Sequence, residues 1–164
     1  MSLFQNQYRI ASTRLKDWDY TQAGWYFVTI CAADRRCHFG RVTDGHVQLS
    51  SIGQIVEKEW LRAPEVRPNV ALDAHVVMPN HLHGIIVIRH DAPAQSIDTP
   101  HKVSLKPGSL GAIVGQVKSI CKKRIKAAGT SYFDWQRRFY DHIIRDDEGL
   151  SRIRNYIATN PKQW

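Results

Sequence analysis

The sequence predicts an α+β domain in which helices pack on one face of a largely antiparallel sheet. Segments rich in β-branched and aromatic residues alternate with segments of helical period, in the order β, hairpin, α, β, β, α, β, α. Two strand-like runs, VALDAHVVM (70–78) and HLHGIIVIR (81–89), are joined only by Pro79-Asn80, a turn-forming pair, so they should lie antiparallel. A chain of 164 residues with 43% hydrophobic and 23% charged residues has the size and balance of one folded domain, taken here as residues 1–164.

In chain order, residues 1–20 form a polar N-terminal arm, and GWYFVTICAA (24–33) reads as an interior strand. HFGRVTDGHVQLS (38–50) carries Asp44-Gly45, the pair that supplies the positive φ values of a tight hairpin. SIGQIVEKEWLRAPEV has its apolar residues at mostly helical spacing and stops before Pro64, with Ser50 or Ser51 available as cap.

Past the central strand pair, residues 90–108 lose all periodicity and gather prolines, which predicts a flexible loop. SLGAIVGQVKSICKKRIKAAG (109–129) places Leu110, Ile113, Val114, Val117, Ile120, Cys121 and Ile125 on one stripe, with Gly129 as the stop. A short strand, FYDHIIR, follows, and DDEGLSRIRNYIATNPKQW closes as a helix ending near Pro161, its first turn suited by Asp146 and Asp147.

Lysine and arginine number 23 against 15 acidic residues, a net charge of +8 that favours a polyanionic partner. Cys31, Cys37 and Cys121 form neither a CxxC pair nor an even set, which argues against a disulfide framework or a cysteine zinc site. The N-terminus lacks a secretory apolar core, and no run approaches the ~20 apolar residues of a spanning helix, so the expected setting is cytoplasmic, with no membrane partner.

The stretch MPNHLHGIIVIR (78–89) carries the first chemical signal. Alternate side chains of a strand share a face, so His81 and His83 converge while Leu82 points the other way. Neutral imidazoles on a rigid strand suit a divalent metal. An isolated HxH pair is more often a polar strand entrance, and both readings stand at this point. On the last helix Tyr156 and Asn160 stand four apart, on one face. Leu150, Ile153 and Ile157 supply the core stripe, and Arg152, Tyr156 and Asn160 form the polar row beside it.

The order MPNHLH, a lysine-bearing helix, WQRRFYDHIIR and then RNYIATNP resembles the single-tyrosine HUH transposases of the IS200-like type, especially the REP-associated tyrosine transposases. The resemblance spans about residues 20 to 164. It implies a ferredoxin-like antiparallel sheet with the histidines on a central strand and the tyrosine on a neighbouring helix. It makes His81 and His83 metal ligands, Asn160 a residue able to join them, and Tyr156 the nucleophile. His142 stands where the family also has a histidine, a candidate for hydrogen-bonded support of the site. Tyr140 is a rival nucleophile without a helical amide partner.

The implied reaction is attack of Tyr156 on a DNA phosphorus, giving a 5′-phosphotyrosine and a free 3′-hydroxyl. Mg²⁺ or Mn²⁺ is the implied cofactor, polarising the phosphate. A phenol of ordinary pKa, about 10, needs activation at neutral pH. The implied substrate is single-stranded DNA adjoining a hairpin, as in repetitive extragenic palindromes.

Physically, such a strand is held by phosphate neutralisation and base stacking. The candidates are Lys118, Lys122, Lys123 and Lys126 on one helix, Arg137 and Arg138 among Trp135, Phe139 and Tyr140, and Arg152, with Arg35 and Arg36 in reserve. A solvated basic face is the alternative for each group. At the level of the whole protein, the competing readings are a catalytically silent DNA-binding protein of the same fold, and a metal-dependent phosphodiesterase or RNA-binding module. Monomer and homodimer are both compatible with the sequence.

Overall fold

The computed structural model describes residues 2–4, 8–10, 14–90 and 106–164. The arm holds two short strands, β1 (Ser2–Phe4) and β2 (Tyr8–Ile10), paired antiparallel with each other. Next come β3 (Gly24–Cys31) and the hairpin strands β4 (Gly40–Thr43) and β5 (His46–Leu49). Asp44 and Gly45 take φ values of 51° and 72°, the left-handed pair that a two-residue hairpin turn requires.

Helix α1 (Ser51–Leu61) starts at Ser50, whose hydroxyl accepts from Gly53 N at 3.1 Å, and the short α2 (Ala63–Val66) follows with Pro64 in its first turn. Strands β6 (Val70–Met78) and β7 (His81–Ile88) form the expected antiparallel pair around Pro79-Asn80. Helix α3 (Leu110–Ala127) is capped by Ser109 and ends before Gly129, whose φ of 104° only glycine adopts readily. Strand β8 (Tyr140–Ile144) leads into α4 (Asp147–Thr159), capped by the Asp146 carboxylate on Gly149 N at 2.6 Å. A 3-10 turn (Asn160–Gln163) completes the chain where Pro161 prevents a regular continuation.

The central sheet runs β6-β7-β3-β8, all antiparallel. Apart from the hairpin, the strands and helices follow a βαββαβ order, and the spatial order is that of a ferredoxin-like sheet. Period-two alternation divides β7 between two cores. Leu82, Ile86 and Ile88 join Tyr26, Val28 and Ile30 of β3 beneath α1 and α3. Ile85 and Val87 join Phe27, Ile144 and Ile157 beneath α4.

The helices therefore occupy both faces, which corrects the expectation of one: α1 and α3 cover one side, and α4 covers the other. The physical reason is the second apolar stripe, Phe27, Ile85 and Val87, which would be exposed without Leu150, Ile153 and Ile157 of α4. Most of the predicted loop, residues 91–105, lies outside the described residues. Among the described residues no helix is long and apolar enough to cross a membrane.

Candidate active site

His81 and His83 open β7 on the face covered by α4, and their Nε2 atoms stand 3.0 Å apart. Their ring orientations follow from hydrogen bonds at the other nitrogens. Asn80 Nδ2 donates to the Arg35 carbonyl at 3.0 Å, which turns Oδ1 towards His81. That oxygen lies 2.7 Å from His81 Nδ1, and because an amide oxygen only accepts, Nδ1 carries the proton and Nε2 keeps its lone pair.

His83 Nδ1 lies 2.8 Å from Thr29 Oγ1, its directly paired neighbour on β3. A hydroxyl both donates and accepts, so His83 has two tautomers open to it. With the proton on Nε2 it bonds His81; with the proton on Nδ1 it presents a second lone pair to the same point. Burial pushes the His83 imidazole down to about 4, with neighbouring His81 as the smaller cause, and burial also lowers His81. Both rings are thereby neutral at pH 7, the form that ligates metals.

Tyr156 reaches this pair within the same chain. Its hydroxyl is 3.5 Å from His83 Nε2, and its ring meets His83 at 5.2 Å and Phe27 at 6.1 Å, both edge-on. Phe27 also stacks on His83 at 5.4 Å, so one buried ring supports both groups. Helix α4 is seated by buried Ile157 and by a two-pronged ion pair from Arg154 to Asp73, with both contacts at 2.8 Å. Asp73 lies in the irregular stretch of β6 between Leu72 and His75.

Asn160 sits one turn beyond Tyr156, only 9% exposed, and its side-chain amide makes no hydrogen bond among the described residues. Trp164 lies 5.9 Å from the His81 ring and is half exposed. Among the described residues no third His, Cys, Asp or Glu joins the pair. The donor types still fit a divalent cation: two imidazoles whose Nε2 atoms converge at 3.0 Å, and the Asn160 amide one turn beyond Tyr156.

The structure divides the expected DNA-contact residues. Lys123, Lys126 and Arg137 are exposed, as are Arg138, Arg35 and Arg36. Arg152 is exposed too, with its guanidinium 3.4 Å from Glu148. Lys122 is paired with Asp134 at 2.8 Å. Two expectations need correction. Lys118 donates to the Gln136 and Arg138 carbonyls at 2.8 and 3.3 Å, and burial lowers its pKa, so it ties α3 to the segment before β8. Trp135 is only 8% exposed, packed on Phe133 and Phe39 at 5.1 and 5.3 Å, with Nε1 donating to the Lys118 carbonyl; it is a core residue and offers no face to a base.

His142 is exposed on β8, opposite Phe27, and makes no hydrogen bond to either histidine among the described residues. Three residues at the site escaped the sequence reading: Asn80, Thr29 and Phe27. Asn80 had a signal, because an amide immediately before HxH can reach the first imidazole. Thr29 and Phe27 had none, since their relation to His83 depends on the register of β3 against β7.

No family model matches the chain. It is 37% identical over 167 residues to an uncharacterized protein of Haemophilus influenzae, covering 93% of this chain and 88% of that one. A second H. influenzae protein, which bears the provisional name REP-associated tyrosine transposase, is 27% identical over 143 residues, covering 87% of this chain and 73% of its own. Among solved structures, a REP-associated tyrosine transposase bound to a REP hairpin superposes with a TM-score of 0.63 at 21% identity, over 92% of this chain and 73% of that one. A provisionally named transposase from Deinococcus radiodurans gives 0.51 at 14% identity, over 88% of this chain and 96% of that one. These last two likenesses are of fold.

The α+β sheet is the fold of both of these solved transposase structures. The chain belongs to one family with the 37%-identical H. influenzae protein, and it is more distantly similar to that organism's provisionally named REP-associated tyrosine transposase.

Proposed function

We propose that the protein cleaves and rejoins single-stranded DNA beside hairpins by transesterification at Tyr156. The observation that carries this reading is the approach of the Tyr156 hydroxyl to within 3.5 Å of His83 Nε2 in a single chain. Tyr156 Oη attacks phosphorus and loses its proton, a P–O bond to tyrosine forms, and the bond to the 3′ oxygen breaks. The leaving oxygen takes up a proton, and the phosphodiester energy is kept in the 5′-phosphotyrosine. Rejoining is the same step reversed, with an incoming 3′-hydroxyl.

His81, His83 and Asn160 would hold a Mg²⁺ or Mn²⁺ ion, which when bound withdraws charge from the scissile phosphate. The chain's own contribution is placement. Phe27 stops the Tyr156 and His83 rings from turning, and Asn80 keeps the His81 lone pair facing inwards. Because the tyrosine and histidines meet within one chain, the reading needs no exchange of helices between subunits. The hairpin in the related complex supports a hairpin-bearing DNA as substrate here.

A hairpin oligonucleotide with unpaired flanks, labelled at one end or the other, tests the reaction. Incubated with Mn²⁺ and denatured, the protein should retain only the label lying 3′ of the cut, since tyrosine keeps the 5′ phosphate. Hydrolysis without a retained label would instead mark a phosphodiesterase. Binding without cleavage would mark a silent DNA-binding protein.

A further inference from the structure

Strand β8 is the last strand of the sheet, and among the described residues nothing pairs with its outer edge. A groove of about 560 Å³ wraps around that edge, from residues before β3 on one side to the first turns of α4 on the other. Its lining includes Arg14, Lys16, Arg145 and Arg152, with Tyr140 and His142 on the strand itself. The lining also holds two acids, Asp141 and Asp146, against these four cations, so positive charge remains in excess. Asp146 is occupied as the cap of α4, and Asp141 is buried at 6% exposure, 3.9 Å beneath the Arg14 guanidinium.

The groove adjoins the candidate active site through a chain of rings. Tyr140 is 48% exposed, and its ring meets Phe27 edge-on at 6.3 Å. Phe27 is the same ring that meets Tyr156 and His83. Tyr140 thus offers an open aromatic face one side chain away from the candidate nucleophile, in a basic channel where, among the described residues, the outer backbone edge of β8 is unpaired.

We infer that this groove holds an unpaired nucleotide segment of the DNA and leads it to Tyr156, with a base stacked on Tyr140 and its phosphates on Lys16 and Arg145. The inference rests on the proposed DNA-joining reaction and adds where the unpaired strand runs. A nucleic-acid strand suits the site because it brings both anions for the cations and flat faces for the phenol ring. A peptide strand could add to the same edge, but would leave the cations and Tyr140 without a role.

The test is binding of a fluorescent hairpin oligodeoxynucleotide with unpaired tails, compared with the same hairpin without tails, in the Tyr156→Phe background to prevent cleavage. Tyr140→Ala should weaken binding of the tailed DNA roughly 5- to 150-fold, the effect of losing one base stack. Tyr140→Phe should bind nearly as well as the parent. Lys16→Ala and Arg145→Ala should each lower the slope of log affinity against log salt by about 1. The tailless hairpin should bind all variants alike.

If the tailed DNA ignores all of these substitutions, or the tailless hairpin suffers equally, the inference is overturned. In the first case the edge of β8 becomes a candidate for pairing with a peptide strand. The two readings fail separately. Tailed binding that depends on Tyr140, with no covalent product from the wild-type protein, sinks the reaction and keeps the groove. Covalent product from a protein whose tailed binding ignores Tyr140 does the reverse.

Discussion

Asn80 Oδ1 stands 2.7 Å from His81 Nδ1, and the amide is held in that orientation by its second bond, to the Arg35 carbonyl. An outer hydrogen bond of this kind fixes which imidazole nitrogen is left to bind metal, and its loss typically costs 10- to 100-fold in affinity. Asn80→Ala should therefore weaken Mn²⁺ binding by about that factor in calorimetric titration, with the fold intact. Asn80→Asp keeps an acceptor facing Nδ1 and should restore most of the affinity. Equal Mn²⁺ affinity in Asn80→Ala and wild type would remove Asn80 from this role.

Gly84 follows His83 on the opposite face of β7, where a Cβ would lie 2.2 Å from the Trp60 indole. Trp60 is fully buried, so it has no room to withdraw. Gly84→Ala should destabilise the protein by about 1–3 kcal/mol, the usual cost of overpacking a core. Urea denaturation measures this, and a midpoint unchanged from wild type would show that the indole yields.

The ion pair that seats α4 predicts a pH dependence. The hydrogen bond from Arg154 holds the Asp73 carboxyl below its ordinary value. A carboxyl depressed by folding contributes its stability above the unfolded value of about 4, and that contribution is lost as pH falls through the folded value. Asp73→Asn should lower the urea midpoint near neutral pH, and the gap to wild type should close below about pH 4. A gap that persists undiminished as pH falls well below about 4 would mean that the charge of Asp73 does not act through Arg154.

The element order from β3 onwards, apart from the separate α2, the Asp44-Gly45 hairpin and the Ser50 cap of α1 were legible in the sequence, because each depends on local periodicity or on one residue's backbone preference. The convergence of His81 and His83 was legible for the same reason, since alternation alone puts them on one face. What could not be read locally was the side of the sheet taken by α4, which depends on the second apolar stripe of β3 and β7. Thr29 and Phe27 were hidden because cross-strand register joins residues more than fifty positions apart. Trp135 was misjudged because flanking arginines describe the segment's charge, whereas its burial is decided by Phe39 and Phe133.

The central claim is that Tyr156 is the residue that joins DNA, and peptide mass mapping of the denatured protein–DNA product tests it most directly. After reaction with tailed hairpin DNA and Mn²⁺, nuclease trimming and proteolysis, the added nucleotide mass should lie on the peptide containing Tyr156, and Tyr156→Phe should carry none. Nucleotide mass on Tyr140 instead, or an equal yield of adduct from Tyr156→Phe, would contradict the assignment.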